Sequence, residues 1–201
     1  MSVKDNRMFA QMLLAARARL AGRKPQEICK NTNITYNEND GFFLLESLGR
    51  DVKIQYPDFT FTPELDGWHQ LVILHYMDLA DGAALENRLI SFSQLKDGMV
   101  RGGGLDRKCE AVIGSLLKQI PEDTLIARCL SLGGQRIQTN ADFTVFFPFL
   151  PNFPVTLKVW FADEEFDASA RMLLDASADH YLTIEDAVTV GEILLEKLLN
   201  E

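Results

Sequence analysis

A meander of aromatic strands dominates the C-terminal third of this chain. Phe143 to Leu150, Val155 to Phe161 and Arg171 to Leu174 are rich in phenylalanine, valine and tryptophan, which suit a pleated, half-buried surface. Pro148, Pro151 and Pro154 punctuate the first connection and predict sheet edges or bends around 148–154. Upstream, Phe42 to Leu48 and Val52 to Tyr56 flank the turn Leu48-Gly49-Arg50-Asp51. Val52, Ile54 and Tyr56 alternate with Lys53 and Gln55, so this segment reads as a β-hairpin with one buried face. Leu89 to Phe92 reads as a further short strand.

The remaining periodic segments read as helices. Residues 3–21 place Met8, Met12, Ala16 and Leu20 four apart, with Phe9 and Leu13 beside them and Gly22 as a C-terminal cap. Pro25 opens a short helix through Cys29. Residues 66–80 are apolar nearly all round, which predicts a helix at the centre of the fold, capped by Asp66 and stopped by Gly82. Residues 105–119 and 122–132 are parted by Pro121 and ended by Gly133-Gly134. The last helix starts at Thr183, with Asp186 three residues on, a variant capping box. Strands and helices do not alternate regularly. The order predicts an α+β fold with an antiparallel or mixed sheet and helices packed against it. No repeat or linker divides the chain, so residues 1–201 read as one domain, with the helix over 3–21 as a peripheral extension.

Composition excludes some classes of function. The net charge is −9 and the pI about 4.9, which argues against binding a phosphate backbone and so against a nucleic-acid partner. No stretch reaches the roughly 18 apolar residues of a membrane span. Charged residues interrupt every apolar run of the opening MSVKDNRMFAQMLLAARARL, unlike a secretory signal. Cys29, Cys109 and Cys129 form no CxxC pair, which suits buried thiols in a reducing cytoplasm. They do not have the close spacing of a zinc or iron–sulfur site.

The densest polar cluster is C-terminal. Trp160 is followed by Asp163, Glu164 and Glu165, and later by Asp175, His180 and Tyr181. Carboxylates beside a histidine can hold a divalent metal or perform acid/base work. If 155–161 and 171–174 pair as a hairpin, however, Asp163 and Asp175 lie at opposite ends of it. A solvated turn at 163–165 and acids complementing a helix N-terminus explain the same residues without chemistry. His69 and His75 sit six apart on one helix and face different ways; His75 shares a face with Leu71 and Leu79 and reads as a partly buried, hydrogen-bonded imidazole. Arg101-Gly102-Gly103-Gly104 precedes the helix predicted from Leu105, with Arg107 and Lys108 in its first turn. Such backbone can present amides to a phosphate, but neither GxxxxGK[ST] nor GxGxxG is matched, and a plain surface loop explains the run as well. No GxSxG elbow is present.

Asp142-Phe143, Phe147-Pro148, Leu150-Pro151, Phe153-Pro154, Trp160, Asp163-Glu164-Glu165-Phe166, Leu174-Asp175, Tyr181-Leu182 and Glu185-Asp186 form a specific pattern. Together with Leu74-His75-Tyr76 and Leu132-Gly133-Gly134, it resembles the family catalogued as domain of unknown function 3786. The resemblance runs from about Pro25 to the last helix. It implies a protein of anaerobic bacteria or archaea, with a suggested link to corrinoid or redox metabolism, and marks Trp160 to Phe166, Asp175 and Tyr181 as the family's signature. Some members carry an extra iron–sulfur-binding region; this chain lacks the closely spaced cysteines for it. Neither a cofactor nor a catalytic residue follows from the resemblance.

Three functions are compatible with these residues. A small-ligand-binding or accessory module would use the aromatic meander and its flanking acids, taking a small molecule or a partner protein. A metal-dependent or acid/base enzyme would use Asp163, Glu164, Glu165, Asp175 and His180. A structural subunit would act by association alone.

Overall fold

The computed structural model describes residues 3–200. Its helices are α1 (Val3–Ala21), α2 (Pro25–Thr32), α3 (Gly67–Leu79), α4 (Gly98–Leu117), α5 (Glu122–Ser131) and α6 (Ile184–Asn200). Strands β1 (Thr35–Asn37), β2 (Phe42–Ser47), β3 (Arg50–Gln55) and β4 (Thr60–Thr62) form a four-stranded antiparallel meander. Strands β5 (Leu89–Ile90), β6 (Gln135–Arg136), β7 (Phe143–Leu150), β8 (Phe153–Trp160) and β9 (Ser169–Asp175) form a second antiparallel sheet in the order β5-β9-β8-β7-β6. Single 3-10 turns lie at Phe92–Gln94 and Ala178–His180. The fold is α+β, with the strands divided between two sheets.

The aromatic meander is the second sheet's interior. Phe143, Val145, Phe147, Val155, Leu157 and Val159 are buried because both neighbouring strands and the packed elements cover them. The prolines bend the sheet without ending it: the β7–β8 register shifts between Phe147 and Leu150, yet both strands have partners on each side. The short strands β1, β4 and β6 carry little apolar pattern of their own and exist as partners of longer ones.

α3 is central, as its all-round apolar sequence predicts. Leu71 to Leu74, Tyr76 and Met77 are buried, and Asp66 Oδ1 caps the helix by accepting from His69 N at 3.0 Å. α4 begins at Gly98, not at Leu105 as its propensities suggest. A Cβ on Gly98 or Gly102 would stand 2.3 or 2.2 Å from the Phe92 carbonyl oxygen, so these glycines let the helix press on the 92–94 turn. Asp106 locks that contact by accepting from Phe92 N at 3.2 Å and Ser93 N at 3.1 Å. Packing has overridden the weak helix propensity of the glycine run.

The pairings fix how the helices lie. Phe9 meets Trp68 and Arg19 meets Asp78, so α1 runs parallel to α3. His75 meets Asp186 near the start of α6, while Leu65 and His69 gather with Lys197 near its end, so α3 and α6 are antiparallel. Arg101 meets Glu185 and Lys108 meets Glu192, so α4 runs parallel to α6. The four helices form a layer in the order α1, α3, α6, α4.

Candidate functional site

The middle helices of this layer are recessed between the outer two. The recess is a groove of about 980 Å³. Its floor is the buried stretch Leu71, Val72, Ile193 and Leu195; Met12 of α1 and Val112 of α4 belong to its walls. From Thr183 to Leu199 the helical rise gives it a length of roughly 24 Å. Trp68, Leu79 and Leu199, each nearly half exposed, add apolar surface at its edges. A large, mostly apolar concavity with a few convergent polar groups is the usual form of a small-molecule site.

One polar constellation stands in the wall of the groove. Asp186 Oδ1 lies 2.7 Å from His75 Nδ1, and Thr183 Oγ1 donates to Asp186 Oδ2 at 2.7 Å. Of the capping box predicted at Thr183 the N-cap half forms, Asp186 N donating to Thr183 Oγ1 at 3.3 Å, while the Asp186 carboxylate takes the Thr183 hydroxyl in place of its backbone N–H. A carboxylate oxygen accepts, so Nδ1 is the donor of this contact, and in the neutral tautomer of the ring Nε2 is the acceptor nitrogen. Nε2 has no protein partner among the described residues, and the side chain is one-fifth exposed (19%). This is an oriented imidazole with a free lone pair in an apolar cleft, able to accept a hydrogen bond or a proton from a bound molecule. The sequence shows His75 as partly buried and Asp186 as a cap; their meeting across 111 positions has no sequence signal.

The C-terminal residues nominated from sequence are not gathered. Trp160 pairs with Ser169 at one end of the β8–β9 hairpin, and Val155 pairs with Leu174 at the other. Trp160, Asp163, Glu164 and Glu165 thus lie at one end, and Asp175, His180 and Tyr181 at the opposite one. Arg171 covers the Trp160 ring, 5.9 Å from its centroid. Asp163 Oδ1 accepts from Glu165 N and Phe166 N, each at 2.8 Å, and these bonds hold its carboxyl below the usual range in a solvent-exposed turn.

The other end of the hairpin fastens the 80–88 loop. Asp175 accepts from Glu86 N at 2.9 Å and from the Ser177 hydroxyl at 2.7 Å. Burial pushes its carboxyl up, but these bonds and the Ser177 amide outweigh that and hold it low. Tyr181 donates to the Ala83 carbonyl and stacks on Tyr76 with centroids 5.7 Å apart. His180 Nδ1 meets Asp81 Oδ2 at 2.7 Å, an exposed contact that raises the imidazole and lowers the carboxyl. None of these residues lines the groove.

The glycine run is not a phosphate loop. Arg101, Gly102, Gly103 and Gly104 lie inside α4, where the amides of 102–104 fall beyond the first turn and are spent on the helix. The Arg101 guanidinium is held by Glu185 at 2.9 Å. Among the described residues no three His, Cys, Asp or Glu side chains converge as metal ligands. Cys109 and Cys129 are buried free thiols, pushed up to about 12 by burial, which disfavours the nucleophilic thiolate. No described helix is long and apolar enough to cross a membrane.

No curated protein and no solved structure matches this chain. The family model described as domain of unknown function (DUF3786) matches residues 24–197, which include α3, α4 and most of α6, and so nearly all of the groove. α1, with Met12 and Arg19, precedes the matched span. The chain belongs to the family of domain of unknown function 3786.

Proposed function

We propose that this protein is a binding module for a small, largely apolar molecule held in the groove over α3 and α6. The observation that carries this reading is the groove itself: about 980 Å³, an apolar floor, and one imidazole with an unused lone pair. The ligand lies along α6, covers Trp68 and Leu79, and donates a hydrogen bond to His75 Nε2. An accessory role in corrinoid or redox metabolism, which the family resemblance implies, sets the first compounds to try. A thermal-shift screen of amphipathic metabolites, corrinoids included, tests the reading, because a ligand that binds only the folded state raises the melting temperature by mass action. At a hundredfold excess over the dissociation constant the gain is about 2.7 kcal/mol. Hits should perturb the His75 ring signals in NMR spectra and weaken in Met12→Trp, which crowds the groove wall. Silence across the screen, or hits that leave His75 unmoved, would sink the reading.

The His75–Asp186 pair favours a second reading, an acid/base enzyme acting in the same groove. Asp186 fixes the tautomer and orientation of the imidazole, the role an orienting carboxylate plays beside a general base. Turnover of a groove ligand that falls at least a hundredfold in His75→Gln while binding persists would select this reading over simple binding.

A further inference from the structure

The charges around the groove are not evenly free. Each cation of its lining is already matched: Arg19 Nε to Asp78 at 2.6 Å, Arg101 Nε to Glu185 at 2.9 Å, and Lys108 Nζ to Glu192 at 2.8 Å. Asp186 is engaged by His75 and Thr183. Two carboxylates of the lining, Asp66 and Glu196, have no cationic partner among the described residues. His69 Nδ1 does stand 3.9 Å from Asp66 Oδ2. Burial lowers that imidazole to about 4, however, so it is neutral at pH 7 and offers Asp66 no charge.

Asp66 caps the start of α3 through Oδ1, which leaves Oδ2 open. Trp68 follows two residues later with 43% of its surface exposed. Glu196 is exposed near the end of α6, which the antiparallel packing brings beside the start of α3. One end of the groove therefore combines an open indole with two unmatched carboxylates, above an apolar floor. His75 Nε2, farther along, is also an acceptor. The cations of this groove are thus paired with carboxylates, and the charge left unmatched on its lining is negative.

We infer that the groove selects an apolar organic cation, an amine or amidine carried on a hydrocarbon or aromatic body, with its charged head between Trp68, Asp66 and Glu196. This rests on the groove being a ligand site. The aromatic face attracts a cation through its quadrupole, and the apolar walls strengthen the pull of the carboxylates. An anionic analogue meets the same carboxylates with the opposite sign.

The test uses the full chain and three probes that share one hydrocarbon tail: octylamine, octanol and octanoate. Dissociation constants come from isothermal titration at pH 7 and low salt. The amine should bind about tenfold more tightly than the alcohol, from one exposed cation–π contact and two solvent-screened charge pairs. Octanoate should bind more weakly than either. In the double variant Asp66→Asn/Glu196→Gln the amine-to-alcohol ratio should fall towards one while the alcohol keeps its affinity; asparagine still caps α3, so the fold is retained. Trp68→Leu should remove part of the same preference. An alcohol that binds as tightly as the amine, or a preference that survives the double variant, overturns the cation inference and leaves the groove as a ligand site. If no probe of any charge binds, the cation inference falls, and the ligand-site reading is decided separately by the metabolite screen.

Discussion

His69 shows how one buried side chain sets a pH dependence of stability. It is 2% exposed, its Nε2 lies 2.8 Å from Ser47 Oγ, and that hydroxyl donates to the Phe149 carbonyl at 2.7 Å. A carbonyl can only accept, so Ser47 spends its one proton there and takes the Nε2–H of the imidazole. Nδ1 is left buried with no partner. Burial lowers the His69 pKa from 6.5 to about 4, so the unfolded chain binds a proton in that range that the native state does not. Stability is full above about pH 6.5 and is lost as the pH falls towards 4, by up to about 3 kcal/mol. Urea midpoints at pH 7 and pH 4.5 should show this loss in the wild type and much less of it in His69→Gln. His180, raised by Asp81, works in the opposite sense: its contribution is present at low pH and fades as the pH rises through its native value. That pair is exposed and adds little. Asp175, held low, loses its contribution only at more acidic pH.

At the scale of an element, α4 illustrates why a glycine run in sequence is ambiguous. Glycine opens a phosphate loop where amides must face a ligand, and it opens a helix surface where another backbone must come close. Here Gly102 presses on the Phe92 carbonyl, whereas a Cβ on Gly104 would meet nothing within 4 Å. The two positions should respond with opposite signs. Gly102→Ala gains helix propensity but forces the 92–94 turn away, and should destabilise the protein by about 1–3 kcal/mol. Gly104→Ala gains the propensity alone and should stabilise by up to about 1 kcal/mol. Chemical denaturation of both variants checks this; equal effects would mean that α4 is not seated on Phe92. The final helix was legible for the complementary reason. Its cap is a local contact, Thr183 to Asp186, and needs no knowledge of what packs above it.

At the scale of the molecule, the groove depends on α1 holding one wall. α1 buries Ala16 and Leu20 completely, sets Arg19 on Asp78 at 2.6 Å, and places Phe9 against Trp68 with ring centroids 4.7 Å apart. A Cβ on Gly67 would strike the Phe9 ring at 2.4 Å, so the start of α3 is shaped to accept it. Removing residues 1–22 should cost at least the burial of Leu20, about 1.5–3 kcal/mol, and should expose Leu71 and Val72 to solvent. A lowered melting temperature together with increased binding of a hydrophobic dye would report both effects. An unchanged melting temperature would mean that α1 is not docked.

Local order in the amino-acid sequence determined the elements: the α3 apolar cylinder, the β2–β3 hairpin, the aromatic meander and the caps at Asp66 and Thr183 all follow from periodicity and near-neighbour chemistry. It also showed that Asp163 and Asp175 would part if their strands paired, which the β8–β9 register bears out. Tertiary packing alone decided the division into two sheets, the early start of α4 and the groove. The reason is physical. A strand's buried face is set by its own alternation, but a cleft arises from the directions in which separate helices lie. His75 and Asp186 become partners only because α3 and α6 run antiparallel, and nothing within either segment states that direction.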